Sequence, residues 1–347
     1  MKWQKKCLGA IADLCLGKML DEKKNTGDYQ PYLANIDVRW GSFDLENLRL
    51  MRFQPKEMNR YGLKYGDIVM CEGGEPGRCA IWKDPVPGMM IQKALHRIRP
   101  HAELDYRFLF YSFLHIGQTG GFAHLFTGST IKHFPRQQLV KLEISFPNLA
   151  AQQAIASILS AYDDLIENNR RRMALLEESA RLLYREWFVH FRFPGHARTR
   201  VTDGVPKGWE RKTLGDICDD IRDLVLPSQL EPDTPYIGLE HMPRRSISLT
   251  EWETAEKVTS SKARYITGDI LFGKIRPYFH KVGIAFTDGV ASSDAIVIRP
   301  NSDDLRSFVL MTVSSDEFVA DTSQSMKEGS KMPRADWKQM IQYPVLL

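Results

Sequence analysis

Residues 148–193 contain neither Gly nor Pro, and this stretch limits the fold more than any other. Asn148 is placed to cap the free amides of a first helical turn, and Pro194-Gly195 supplies a stop. At about 1.5 Å per residue, a helix filling the interval is roughly 60 Å long, far beyond an ordinary globular helix. Its apolar residues Ile155, Ile158, Tyr162 and Leu165 step by three and four. The next seam position is Asn169, and Met173, Leu176, Ala180, Leu183 and Trp187 then resume the alternation. That is a coiled-coil stripe with a stutter at its polar middle, residues 168–172, and it requires a second helix from this chain or a partner. A long helix laid on its own domain core has the same spacing, and is the competing reading.

The flanks of this helix are copies of each other. Trp3-Gln4-Lys5-Lys6-Cys7-Leu8-Gly9 returns as Trp209-Glu210-Arg211-Lys212-Thr213-Leu214-Gly215, and Pro31-Tyr32-Leu33 as Pro235-Tyr236-Ile237. Gly66-Asp67-Ile68-Val69 matches Gly268-Asp269-Ile270-Leu271, Ile98-Arg99-Pro100 matches Ile298-Arg299-Pro300, and Gly128-Ser129 matches Gly329-Ser330. Each match is short, but their common order makes a repeat. The expected organisation is a first domain over 1–147, the helix over 148–194, a Gly/Pro-rich linker over 195–208 and a second domain over 209–347. Turn-then-strand signals at both Gly-Asp motifs and amphipathic helices over 104–116 and 305–313 make each copy α+β.

Composition allows this plan and narrows the chemistry. The 347 residues, 43% hydrophobic and 26% charged, suffice for two cored domains and a helix. The apolar run after Lys5-Lys6 is cut at Asp13 and no 18 apolar residues follow one another, so the expected compartment is the cytoplasm. Five cysteines form no CxxC pair; reduced, buried thiols are expected, and no metal site. Residues 1–147 carry 21 Lys and Arg against 15 Asp and Glu, the helical stretch 148–195 is balanced, and residues 196–347 carry 20 against 22. A polyanion-binding surface must therefore be local.

Two copies that open on Trp-x-x-Lys/Arg-x-Leu-Gly-like segments, separated by a helix with Gln152-Gln153-x-Ile155-Ala156-x-Ile158-Leu159 and Leu183-Tyr184-x-x-Trp187-Phe188, resemble the specificity subunit of type I restriction-modification systems. The resemblance spans the chain. It implies two target recognition domains, each reading one half of a bipartite double-stranded DNA site. It also implies a central helix that sets the half-site spacing and docks methyltransferase (modification) subunits, with a restriction/translocase subunit as further partner. S-adenosylmethionine, ATP and Mg would belong to those partners, with none bound by this chain. In the family a distal helix pairs with the central one. Here the sequence reaches Pro344-Val345-Leu346-Leu347, the counterpart of Pro147, without a second such helix, so a homodimer through the central helix is the expected cover for its seam.

Catalytic motifs are not found: no Asn/Asp-Pro-Pro-Tyr/Phe, no Walker A, and glycines at 73–77 and 117–121 at the wrong spacing for a nucleotide fingerprint. DNA reading needs forked or amide donors near exposed turns, with cations for phosphates. Residues 127–141 offer Lys132, Arg136 and Gln137 with no acid. Residues 257–281 hold Lys262, Arg264, Lys274, Arg276 and Lys281 among six cations against Asp269 alone, interleaved by Tyr278. Arg78, at the end of the matching loop in the first copy, and Lys331 complete the candidate DNA-binding set. A two-domain structural adaptor that binds proteins and never touches DNA is the competing function, favoured by the acidic balance of the second copy.

Overall fold

The computed structural model describes residues 2–21, 25–324 and 333–347. The chain divides into two compact units, Met1–Glu167 and Asn168–Leu347, with the division inside the long helix.

In the first unit the strands are β1 (Gln4–Cys7), β2 (Ala12–Leu16), β3 (Asp28–Leu33), β4 (Arg49–Phe53), β5 (Ile68–Cys71), β6 (Cys79–Ile81), β7 (Met90–Ile91), β8 (Leu95–Pro100) and β9 (Glu143–Phe146). The helices are α1 (Leu8–Ile11), α2 (Pro55–Tyr61), α3 (Tyr106–Gln118) and α4 (Arg136–Lys141), and α5 (Leu149–Tyr184) begins here and ends in the second unit. One sheet has the order β2-β8-β5-β6 and a second the order β4-β3-β7, while β1 pairs with β9. Strand β5 is buried along its whole length because both its faces are covered. Ile68 and Met70 meet Phe108, Leu109 and Phe113 of α3, and the alternate residues Val69 and Cys71 meet Leu33, Trp82 and Ile91. An unbroken apolar run after a Gly-Asp turn is the sequence mark of such a strand. Helix α3 starts two residues later than the sequence spacing suggests, because Asp105 caps the amides of Arg107 and Phe108.

The second unit adds β10 (Val201–Thr202), β11 (Val205–Pro206), β12 (Arg211–Thr213), β13 (Cys218–Asp220), β14 (Leu224–Val225), β15 (Pro235–Ile237), β16 (Ser248–Leu249), β17 (Glu253–Thr254), β18 (Lys262–Tyr265), β19 (Ile270–Gly273), β20 (Val282–Ala285), β21 (Gly289–Ala291), β22 (Ala295–Pro300) and β23 (Pro344–Leu346), with helices α6 (Arg306–Ser314), α7 (Asp316–Gln324) and α8 (Trp337–Met340). Its sheets run β13-β22-β19-β20-β16 and β14-β18-β21-β15-β17, and β12 pairs with β23. These orders contain those of the first unit, strand for strand. The parallel pair of the three-stranded sheet is repeated as well: Tyr32 opposite Met90 in the first unit, Tyr236 opposite Val290 in the second.

The repeat anchors turn out to be partners. Arg99 on β8 donates Nε and Nη2 to the two oxygens of Asp67, each at 2.7 Å. Arg299 on β22 does the same to Asp269 at 2.7 and 2.8 Å. Both carboxylates are buried and also accept a backbone amide three residues upstream, from Lys64 and Ile266. Charge-assisted bidentate pairing keeps both guanidinium pKa values above their ordinary level. Gly66 and Gly268 precede them with φ of 86° and 93°, a backbone state glycine adopts without strain. The matching Gly329-Ser330 lies outside the described residues.

Helix α5 begins as the sequence suggests, with Asn148 Oδ1 accepting the Ala151 amide at 3.0 Å. It ends earlier than expected: the α-helix closes at Tyr184 and a π-helical turn follows over Arg185–Val189. Aromatic packing accounts for the change. Phe188, Phe191 and Phe193 gather around Trp209, with ring centroids 5.4, 6.0 and 5.0 Å away, and a continued helix would fan them apart. Within each unit one buried polar side chain grips the helix. Gln152 accepts the Asp105 amide at 2.9 Å and donates to the carbonyls of Glu103 and Pro147. Glu177 accepts hydrogen bonds from Ser246 at 2.8 Å and Ser248 at 2.9 Å.

Between these grips the seam is bare. Ile158, Tyr162, Leu165 and Leu176 are 63, 66, 55 and 68% exposed, and Met173 and Leu183 are exposed as well. Asn169 is exposed, whereas Ile155 is half-buried against the first core and Trp187 half-buried. The reading of α5 as a helix laid along its own core therefore fails over most of its length. The expectation of buried thiols holds for Cys71, Cys79 and Cys218 but not for Cys7, which is exposed; all five cysteines are free.

Candidate nucleic-acid interface

In each unit three segments meet at the tip of one hairpin. In the first unit the β5–β6 loop carries Gly73, which bridges His133 and accepts a hydrogen bond from the Asn35 side chain. In the second the β19–β20 loop carries Ile275, which bridges Arg334, while the Arg276 amide donates to Pro333. The short 3-10 turns Asn35–Asp37 and Leu239–His241 supply the third segment.

Two of the candidate cations are the clasps of these tips. The Cys71 and Gly273 amides donate to the carbonyls of Arg78 and Lys281 respectively, so the two cations are equivalent. Arg78 Nη2 donates to the Asn35 carbonyl at 2.9 Å and Nη1 to Glu75 at 2.6 Å, and Lys281 Nζ donates to the Leu239 carbonyl. Burial, with Arg244 nearby, lowers the Lys281 pKa. Each cation ties its hairpin to its 3-10 turn. Lys262 is buried as well, bound to Ser260 through Oγ at 2.7 Å. Lys274 donates to the Ser293 carbonyl at 3.0 Å.

The remaining candidates face solvent. Lys132 is exposed on the first tip, and Arg136 and Gln137 open α4, with Arg136 Nε held on the Leu14 carbonyl at 3.1 Å. Arg264 is exposed on β18. Arg276 and Tyr278 are exposed on the second tip, Tyr278 meeting Phe279 edge-on with centroids 4.9 Å apart. Lys331 lies outside the described residues. The structure thus joins Lys274, Arg276, Tyr278 and Lys281 at one tip and leaves Lys262 and Arg264 on the other sheet.

It also adds residues that spacing did not single out. Arg244 stacks its guanidinium 4.0 Å from the Phe279 centroid, and Trp40 donates Nε1 to Glu75 at 3.2 Å on the first tip. The Arg244-Arg245 doublet was the available signal for the former. A positive, aromatic-lined tip can contact phosphates and stack or hydrogen-bond to bases. Among the described residues no three His, Cys, Asp or Glu side chains form a group able to hold a metal ion, and no helix is long and apolar enough to cross a membrane.

Comparison with known proteins points the same way. The family model described as the type I restriction modification DNA specificity domain matches residues 1–178. The specificity subunit of type I restriction enzyme MjaIX from Methanocaldococcus jannaschii is 31% identical over 156 residues, 44% of this chain and 35% of that protein. The EcoDI specificity subunit of Escherichia coli is 22% identical over 243 residues, 63% of this chain and 54% of that protein. The chain thus spans between about a third and a half of the curated relatives it matches. The crystal structure of a type I restriction-modification S subunit from M. genitalium superposes with a TM-score of 0.59 at 19% identity, covering 100% of this chain and 85% of that one.

Proposed function

This chain belongs to the type I restriction modification DNA specificity family, and from that premise we propose that it is a non-catalytic subunit that selects the DNA target of a larger enzyme. Each unit reads one half of a bipartite double-stranded site through its hairpin tip, and α5 sets the separation of the halves. Methyltransferase subunits dock on α5 and bring S-adenosylmethionine; a restriction/translocase subunit brings ATP, Mg and the nuclease. The assembly acts in the cytoplasm. In the absence of those partners the bare seam of α5 pairs with a second copy.

The observation that carries this reading is the duplication itself. The two units share a strand order that the second extends, and each repeats the same buried Asp–Arg pair and the same three-segment tip. An adaptor without DNA contact would leave the solvent-facing cations and rings of the tips without use. Selection of bound duplexes from a randomised pool, using the full chain assembled with its methyltransferase subunits, tests the proposal. Two short motifs at a fixed gap are expected, with affinity falling steeply as salt rises. A single continuous motif, or none, would overturn it.

A further inference from the structure

The duplication supplies an internal control for the second tip. In the first unit, counting from the paired residues Met70 and Cys79, the tip turns on Gly74 and Gly77, with φ of 81° and 92°. Counting likewise from Phe272 and Val282, the equivalent positions are Arg276 and His280, each with φ of 50°. Two residues, Glu75-Pro76, lie between the turning points in one tip and three, Pro277-Tyr278-Phe279, in the other. The fold therefore needs left-handed backbone at both points, and glycine meets that need without strain in one copy. In the other, two residues with a Cβ meet it at a cost. Such strain persists where the side chain has work to do.

For His280 the work is visible: the ring is buried, with Nε2 3.3 Å from Asp316 and 3.3 Å from Arg245. Arg276 has no such employment. Its backbone is fixed by the Arg276 amide on Pro333 and the Phe279 amide on the Arg276 carbonyl, both at 2.9 Å. Its side chain is exposed, and among the described residues its one contact is the Phe279 ring, 5.9 Å from the guanidinium. A rigid mount under a free planar fork is what base reading requires. A phosphate contact sets no demand on the backbone, whereas a bidentate grip on guanine O6 and N7 gains from a fixed backbone that aims an otherwise uncommitted guanidinium.

We propose that Arg276 is a specificity-determining residue of the second unit, reading a guanine edge in the major groove of its half-site. This rests on the DNA-reading function proposed above. Pool selection with the full chain and its methyltransferase subunits tests it, comparing the unaltered protein with R276G and R276K. The unaltered chain should select a guanine at one position of one half-site. R276G should lose about 5- to 150-fold discrimination at that position alone, and R276K, which keeps the charge without the planar fork, part of it, with the other half-site and the gap unchanged and with no fall in Tm for R276G. An unchanged motif, affinity lost evenly at all sequences as for a phosphate contact, or a lowered Tm for R276G would each overturn the assignment while leaving DNA reading intact. Failure of the unaltered chain to select any motif would instead remove the function on which the assignment rests, and the assignment with it.

Discussion

Asp67 and Asp269 show what a residue can and cannot reveal before folding. Their repetition after glycine, and that of Arg99 and Arg299 before proline, was readable as two anchors in a colinear series. That the anchors bind each other was not, because the pairing depends on β5 lying beside β8 and β19 beside β22. Sequence order carries no sheet register. The same blindness attends the candidate cations: a count of Lys and Arg cannot tell Lys281, spent on the Leu239 carbonyl, from Arg276, whose fork takes no hydrogen bond among the described residues. Removing either carboxylate leaves a guanidinium that is 27% exposed at Arg99 and 37% at Arg299. Asp67→Ala and Asp269→Ala should each cost about 3 kcal/mol, the low end for breaking a buried pair, because water reaches part of the arginine. Urea unfolding of the two variants checks this, and losses below about 1 kcal/mol would show that solvent replaces the carboxylates.

At the scale of elements, the long helix was legible in its start and its stripe but not in its end. Capping by Asn148 and the apolar steps are local signals, whereas the π turn over Arg185–Val189 answers to Trp209, which follows a Gly/Pro-rich connection. The short strands were legible only in part. The Gly268-Asp269 turn marks the start of β19, but the limits of β18 and β20 on either side of it follow from sheet pairing rather than from a local signal. The uncovered stripe makes its own demand. Burying side chains of the size of Leu165 and Leu176 gains about 1.5–3 kcal/mol each, so the isolated chain should be a dimer at micromolar concentration, with Asn169 near the crossing to set register. Light scattering should report the dimer, and Leu165→Asp with Leu176→Asp should render it monomeric with Tm little changed. A monomeric unaltered chain would overturn the pairing of α5 with a second copy.

For the molecule as a whole, the duplication was the most legible feature, since five short matches in one order define it without any structure. If α5 measures the gap between half-sites, seven residues inserted near Asn168, which keep the stripe in phase, lengthen the helix by roughly 10 Å. The selected gap should then widen by about three base pairs, at about 3.4 Å each, with both half-site motifs retained. Altered motifs would argue against a measuring role. Each unit closes on itself. Residue 4 pairs with residue 146 and residue 211 with residue 346, so the first and last strands of each copy are neighbours. Contacts between such distant parts of a chain form late and slowly. During synthesis the first unit can shut as soon as β9 has left the ribosome, while α5 is still being made. The second likewise stays open until β23 follows, so each copy leaves its apolar strands exposed to misassembly until its own last strand arrives.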